Sequence, residues 1–222
     1  MSTSNLQSRR IDVEDSFDAI QDYYDEQGWT DGLPVVPATE ELVRRMLAGC
    51  EGAPNDSLGI IQPRNARVTL EKIAINAVMA GCRPEYFPVV VAAVKAMLQD
   101  EFNVAGVSST TGGATPAVIV NGPIARQLGI NGDAGCFGPG YRANSSIGRA
   151  LRLMIRNVGG LIPGEMDKAT LSTPARFSFC FSENEERSPW IPFHVQHGLK
   201  PDESAVSVFS GCRSTTFQLG LR

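Results

Sequence analysis

The spacing of apolar residues along the chain predicts a mixed α/β or α+β fold. Between residues 14 and 27, Phe17, Ile20 and Tyr24 recur three and four positions apart among acidic residues, which is typical of an amphipathic helix. Two later segments, 69–82 and 83–99, are so rich in Ala, Val and Ile that we expect both to be buried helices. We predict a single compact domain with these helices in its core beside a small mixed sheet.

Extended segments and helix starts complete this prediction. Thr39 and Thr69 each precede a helical pattern and are expected to cap it. The expected strands are a short one through Ile60 and Ile61, then 102–107, 117–120, 176–182 and 205–209. The segment 176–182 alternates phenylalanine with Ser or Cys, as a strand with two unlike faces does. A further helix follows residues 132–150 and keeps one apolar face.

Composition and charge narrow the class of protein. The 222 residues are 42% hydrophobic and 20% charged, so we expect one globular domain over 14–222 behind a disordered tail over 1–13. A net charge of −4 argues against nucleic acid as a partner, and no apolar run is long enough to span a membrane. The amino terminus lacks the apolar stretch of a secretory signal, which favours a cytoplasmic protein. Five cysteines without a C-x-x-C pair indicate free thiols.

The stretch GDAGCFGPGYRANSSIGRA, residues 132–150, places a cysteine among five glycines ahead of a helical pattern. A thiol near a helix start meets backbone N–H groups and the positive end of the helix dipole, which favour the thiolate. We predict Cys136 as a catalytic nucleophile or redox thiol, with Arg142 as its electrostatic support. The alternative is a tight structural turn in which Cys136 fills a gap as a small apolar side chain.

Hydroxyl, amide and guanidinium groups in two glycine-rich loops predict a site for a small anion. The second loop, SSTTGG, lies between two predicted strands, and neither loop matches a Walker or dinucleotide-binding pattern. Both loops are equally compatible with ordinary surface turns. The predicted ligand-binding residues are Ser108, Ser109, Thr110, Thr111, Asn121, Asn144, Ser145, Ser146 and Arg149.

A third cluster, ENEERSPWIPFHVQHG, joins carboxylates to the two histidines of the chain. Glu183 or Glu185 with His194 is a candidate general acid/base pair, since His titrates near neutrality. If residues 193–197 are extended, His194 and His197 point to opposite faces, which argues against a metal site that uses both. We therefore predict Glu183 and His194 as catalytic groups, with no metal and no cofactor firmly implied.

Several long phrases resemble the bacterial proteins associated with the UGSC motif, in which U is selenocysteine. The phrases are TDGLPVVPAT, TLEKIAINAVMAGCRPEYFPVVVAAV, VNGPIARQLGINGDAGCFGPGYRANSSIGRALRLMIRNVGG and ENEERSPWIPFHV. The resemblance implies a thiol- or selenol-dependent system whose U/C-G-S-C motif lies on a separate domain or subunit. Residues 210–214, SGCRS, lack the first Cys of that motif, and the chain ends sooner than the family pattern.

Together these observations favour a subunit of a thiol- or selenol-dependent enzyme that acts on a small polar or anionic organic molecule. The expected chemistry is redox or lyase-type cleavage of a carbon–heteroatom bond. One alternative is a hydratase or dehydratase that uses Glu and His as acid/base groups. The other is a non-catalytic partner subunit that completes the pocket of a protein carrying U-G-S-C or C-G-S-C.

Overall fold

A computed structural model describes residues 6–211, which form helices and two small sheets in the predicted mixed α/β class. In chain order the elements are α1 (Phe17–Glu26), α2 (Glu40–Leu47), β1 (Ser57–Ile61), β2 (Ala66–Thr69), α3 (Leu70–Met79), α4 (Phe87–Met97), α5 (Val104–Ser109), β3 (Thr115–Asn121), α6 (Pro123–Gln127), α7 (Arg142–Asn157), β4 (Cys180–Ser182), α8 (Phe193–Gln196) and β5 (Ala205–Gly211). Short 3₁₀ turns cover Pro84–Tyr86, Asp100–Phe102 and Pro174–Arg176.

Hydroxyl side chains cap the amino-terminal ends of three helices. Ser16, Thr39 and Thr69 each accept a hydrogen bond from the backbone N–H three residues later, at the starts of α1, α2 and α3. Such a bond satisfies one of the N–H groups that a helix leaves unpaired in its first turn. The predicted caps at Thr39 and Thr69 are therefore confirmed.

Helices α3, α4 and α7 form the centre of the core. Most residues of α3 and α4 are buried, as their Ala- and Val-rich sequences predict. Helix α7 is amphipathic, and its apolar stripe through Ile147, Leu151 and Ile155 is fully buried. Helix α3 packs against α2 and α7, while α4 packs against α3, α7 and β5. The core therefore joins the helical half of the chain to the sheet.

The three-stranded sheet has the order β4-β3-β5, with β3 parallel to β4 and antiparallel to β5. Residues on both faces of β3 are buried, as a central strand covered by helices requires. Strands β1 and β2 pair as a separate antiparallel hairpin; β1 confirms the expected strand through Ile60 and Ile61, whereas β2 was not predicted. The carboxyl ends of β3 and β4 lie side by side, which positions the residues that follow them.

Two predicted strands are wrong in whole or in part. Residues 102–107 form the end of a 3₁₀ turn and most of α5 instead of a strand. Asn103 takes a left-handed conformation with φ of 50°, and its side chain accepts the N–H of Gly106, which begins the helix. In the segment 176–182, only Cys180–Ser182 is a strand, because β4 pairs with β3 through Val118, Ile119 and Val120 alone.

Residues 6–8, which fall within the predicted disordered tail over 1–13, contact the body of the protein, while residues 1–5 lie outside the described residues. Leu6 is buried in the core, and the backbone N–H groups of Gln7 and Ser8 donate to the Glu71 carboxylate at 2.9 and 2.8 Å. A buried carboxylate on α3 thus holds this segment to the body. The predicted extent of the globular domain to residue 222 and most of the SGCRS string lie outside the described residues.

Candidate functional site

The loop that carries Cys136 is held in place by Asn144, a buried residue in the first turn of α7. The Asn144 side-chain oxygen accepts the N–H of Asn131 at 2.8 Å, and its Nδ2 donates to the carbonyls of Asn131 and Cys136 at 2.9 and 3.2 Å. All these partners are backbone groups of the loop. Asn144 therefore positions the loop around Cys136, and its predicted role in ligand binding stays a prediction.

A cavity of about 270 Å³ opens beside Cys136. Cys136 is half-buried and Ser145 is exposed at its edge. The remaining lining residues come from the same loop and from the segment leading into β4, and they are Phe137, Gly138, Pro139, Asn144, Pro174, Phe177, Ser178, Phe179 and Cys180. Phe137 packs edge-on against Phe179 and Phe181 but remains 70% exposed. The cavity thus combines a thiol, a hydroxyl and aromatic walls.

The start of α7 contributes its backbone to this cavity. Helix α7 has 16 residues, and Tyr141, the residue before it, supplies no side-chain cap. The first N–H groups of a helix have no partner within the helix, and they carry the positive end of its dipole. Asn144 and Ser145, both in this first turn, line the cavity. The helix start therefore provides a positive potential beside the Cys136 thiol.

Arg142, predicted to support Cys136, has its hydrogen-bond partner elsewhere. Its Nε and Nη2 donate to the carbonyl of Gly81 at 3.2 and 2.9 Å, which joins the start of α7 to the end of α3. The Arg142 charge favours the thiolate of Cys82, but burial dominates there and raises the pKa of that thiol to about 12. Burial likewise raises the pKa of Cys180. These two thiols are enclosed, whereas Cys136 is half-buried and lies at the edge of the cavity.

Ser146 and Arg149 also have structural partners. The buried Ser146 hydroxyl donates to the carbonyl of Arg142 within the helix. Arg149 donates from Nε and Nη2 to the two oxygens of Asp31 at 2.8 and 2.7 Å, and Nη2 also reaches the carbonyls of Leu33 and Pro34. Arg149 therefore fixes the loop that precedes α2. Of the predicted ligand-binding residues on α7, Ser145 is the one with an exposed side chain at the cavity.

The SSTTGG loop does not reach the Cys136 cavity. Ser108 is buried, while Ser109 donates from its hydroxyl to the carbonyl of Ala105. Thr110 accepts the N–H of Gly112, and the carbonyl of Thr111 accepts the N–H of Thr170. These contacts complete the end of α5 and the turn after it. The two glycine-rich loops therefore do not line the Cys136 cavity together.

A cluster of two half-buried glutamates with the buried Asn121 and His194 lies at the carboxyl ends of β3 and β4. The Nδ2 group of Asn121 donates to the carboxylates of both Glu183 and Glu185. The N–H of Gly122 adds a bond to Glu185 at 2.7 Å, and that of Phe193 adds one to Glu183 at 2.8 Å. Each carboxylate therefore receives two N–H donors. Asn121, predicted to bind a ligand, joins the two acids through these bonds.

His194 completes this acidic cluster. Its side chain is fully enclosed, and its Nδ1 lies 3.6 Å from Oε1 of Glu185, which is longer than a hydrogen bond. Neither ring nitrogen has a hydrogen-bond partner among the described residues, and the same holds for Oδ1 of Asn121. The residues 193–196 are helical, not extended, and the exposed His197 contacts the carbonyl of Phe193 instead. The structure thus unites Glu183, Glu185 and His194 but does not open a described cavity onto them.

The acidic cluster and the Cys136 loop lie next to each other in space. The N–H of Ser182 donates to the carbonyl of Asn131, and its hydroxyl donates to that of Ile130. Gly132 lies so close to Ser182 that an added Cβ would be 2.2 Å from the Ser182 carbonyl oxygen. Glycine is therefore required at this approach. The sequence singled out the loop's glycines but contained no signal for this contact.

Neither a membrane-spanning helix nor a metal-binding cluster occurs within residues 6–211. Within residues 6–211, no helix has the length and apolar character needed to cross a membrane. Over the same residues, no group of three His, Cys, Asp or Glu side chains is arranged to hold a metal ion. No family model, curated protein or solved structure matches the chain. The resemblance to UGSC-associated proteins stays a prediction.

Proposed function

We propose that the chain is a subunit of a thiol-dependent enzyme that acts on a small organic anion at the Cys136 cavity. The observation that carries the proposal is the uncapped start of the 16-residue helix α7, which faces the same cavity as a half-buried thiol. An anionic group on the substrate pairs with the free N–H groups and the Ser145 hydroxyl. Its reactive carbon then lies beside the sulfur of Cys136.

The chemistry assigned to Cys136 is nucleophilic displacement at carbon. The thiolate supplies the electron pair of a new carbon–sulfur bond, and the heteroatom leaves with the pair of the broken bond and takes up a proton. A second thiol then attacks the sulfur of Cys136, so that a disulfide forms and the released carbon takes a proton. A protein that carries C-G-S-C or its selenocysteine form belongs to the class that would supply this second thiol.

Alkylation by two reagents of similar size tests the anion site without knowledge of the substrate. Iodoacetate is an anion and iodoacetamide is neutral, so a positive potential at Cys136 raises the iodoacetate rate relative to the iodoacetamide rate. We expect this ratio to be several-fold higher at Cys136 than at the half-buried Cys50, measured by peptide mass spectrometry. Cys82 and Cys180 are internal controls for enclosed thiols and should remain unmodified in the folded protein.

Substitutions in the same cavity sharpen the test. Ser145→Asp adds a negative charge at the helix start and should remove the preference for iodoacetate. Ser57→Asp, on the exposed end of β1, is the matched control and should leave the preference unchanged. Equal reagent ratios at Cys136 and Cys50, or a ratio that ignores Ser145→Asp, would contradict an anion site at Cys136.

The exposed Phe137 supports a second candidate function, a partner subunit that docks a thiol- or selenol-bearing protein. An aromatic side chain that is 70% exposed beside a thiol is typical of an interface residue. Under this proposal a protein with C-G-S-C or U-G-S-C co-purifies with the tagged chain, and Phe137→Ser removes it. Leu171→Ser, at a similarly exposed residue, should retain it. Recovery of proteins without the motif, or retention by Phe137→Ser, would contradict docking.

A further inference from the structure

A second cavity, of about 200 Å³, lies between the carboxyl-terminal half of α7 and the segment that follows it. Arg152 and Arg156 line it from α7, and Arg176 and Asp167 line it from the opposite side. The hydroxyl-bearing residues Ser172 and Thr173 lie at the same cavity. We call these six residues, together with Asp31 at the edge, the arginine cavity.

The charges around the arginine cavity do not balance. Asp31 already receives two hydrogen bonds from Arg149, which lies outside the cavity. Asp167 is buried and receives Nη1 of Arg176 on both of its oxygens, while Nη2 of Arg152 lies 3.7 Å away. Four guanidinium groups, counting Arg149, therefore share two carboxylates. The cavity is left with an excess of two positive charges among the groups that surround it.

Arg152 shows where part of this excess lies. Its Nε donates to the carbonyl of Arg176, but its Nη1 is buried and has no hydrogen-bond partner among residues 6–211. Burial, followed by the Arg176 charge, lowers the pKa of Arg152 to about 10, against the opposing effect of Asp167. A buried cation without a matching anion is costly, since the interior solvates charge poorly. An anion in the cavity would remove that cost.

We propose that the arginine cavity binds a small dianion, either a phosphate group or a short dicarboxylate. Two negative charges match the two positive charges in excess, and planar guanidinium groups bind phosphate and carboxylate oxygens in pairs. The hydroxyls of Ser172 and Thr173 supply further donors. The volume is below the range of pockets for drug-sized ligands, so the bound group is a small one.

The arginine cavity is separate from the Cys136 cavity, although Phe177 lines both. The dianion site does not depend on the proposed function, because Arg152, Arg156 and Arg176 form no hydrogen bond with the Cys136 loop among residues 6–211. The two proposals fail independently. Thiol alkylation tests the Cys136 cavity, whereas thermal unfolding in different anions measures binding at Arg152 and Arg156.

Thermal unfolding of the full chain in different anions tests the proposal. At constant ionic strength and pH 7.5, we expect inorganic phosphate or malonate to raise Tm in a saturable way, since a ligand of the folded state stabilises it. Acetate and chloride should produce no saturable rise. A response to phosphate alone assigns a phosphate site, and a response to malonate alone assigns a dicarboxylate site. No saturable response, or equal responses to acetate and the dianions, would overturn the proposal.

Substitutions then locate the binding. Arg156→Gln, at a half-buried residue, should weaken the apparent Kd for the effective dianion about tenfold or more, because a charged hydrogen-bond donor is lost. Arg152→Gln should abolish the response; if that variant does not fold, Arg156→Gln alone decides. The control is Arg45→Gln on the exposed face of α2, which should keep the wild-type Kd. An unchanged Kd in Arg156→Gln would place the anion elsewhere and overturn the assignment.

Discussion

The acidic cluster at the ends of β3 and β4 and the arginine cavity beside α7 both gather several charged side chains that are at least partly buried, yet they are stabilised differently. In the acidic cluster, Glu183 and Glu185 each receive two N–H donors, from Asn121 and from the backbone. In the arginine cavity, one buried carboxylate serves both Arg152 and Arg176. The difference indicates that neutral N–H donors satisfy the carboxylates of the acidic cluster, whereas the arginine cavity retains positive charge that an anionic ligand can match.

The largest expected effect is at Asp167, the buried anion of the arginine cavity. Asp167→Asn leaves Arg176 and Arg152 buried without a carboxylate, so we expect a loss of about 3–5 kcal/mol in the free energy of unfolding. Urea denaturation at pH 7 measures this loss. Asp133→Asn is the control, because its ion pair with Arg187 is exposed, and it should change stability by less than about 1 kcal/mol. If Asp167→Asn changed the unfolding free energy as little as Asp133→Asn does, the buried arginines would not depend on Asp167 for charge compensation.

An intermediate effect is expected at Asn121, which bridges the two acids. Asn121→Ala removes one N–H donor from each carboxylate but leaves the backbone donors of Gly122 and Phe193 in place. We expect a loss of about 1–3 kcal/mol in unfolding free energy, measured by the same denaturation. Asn184→Ala, in the turn between the two acids, is the matched control and should be nearly neutral. A loss at Asn121 as large as at Asp167 would mean that backbone donors contribute little to the acidic cluster.

The smallest expected effect is at His194. Its ring nitrogens have no hydrogen-bond partner among the described residues, so His194→Phe removes no bond and keeps a planar ring in an enclosed position. We expect the free energy of unfolding to change by no more than about 1.5 kcal/mol. A loss above about 3 kcal/mol would instead show that the His194 ring makes a stabilising polar contact.

Candidate residues lie near one another where they are close in sequence. Cys136 and Ser145 line one cavity, because only eight residues of loop and helix start separate them. The short turn after β4 brings Phe193 N–H to Glu183 and His194 to within 3.6 Å of Glu185. Arg142 and Arg149 could not be assigned in this way. Their partners, Gly81 and Asp31, are 61 and 118 residues distant, and a long side chain reaches many directions from one backbone position.

Local pattern alone determined the longer helices and most of the strands of this protein. Apolar spacing predicted α1, α3, α4 and α7, and hydroxyl caps marked the starts of α2 and α3, because these features depend on neighbours within one or two turns. Tertiary structure decided which polar residues are free. Asn144 and Arg149 are used to hold loops, while the arginine cavity arises from residues on α7 and on a segment 10 to 20 positions beyond it. Charge balance in an interior is set by every group that packs there, and no local pattern records that sum.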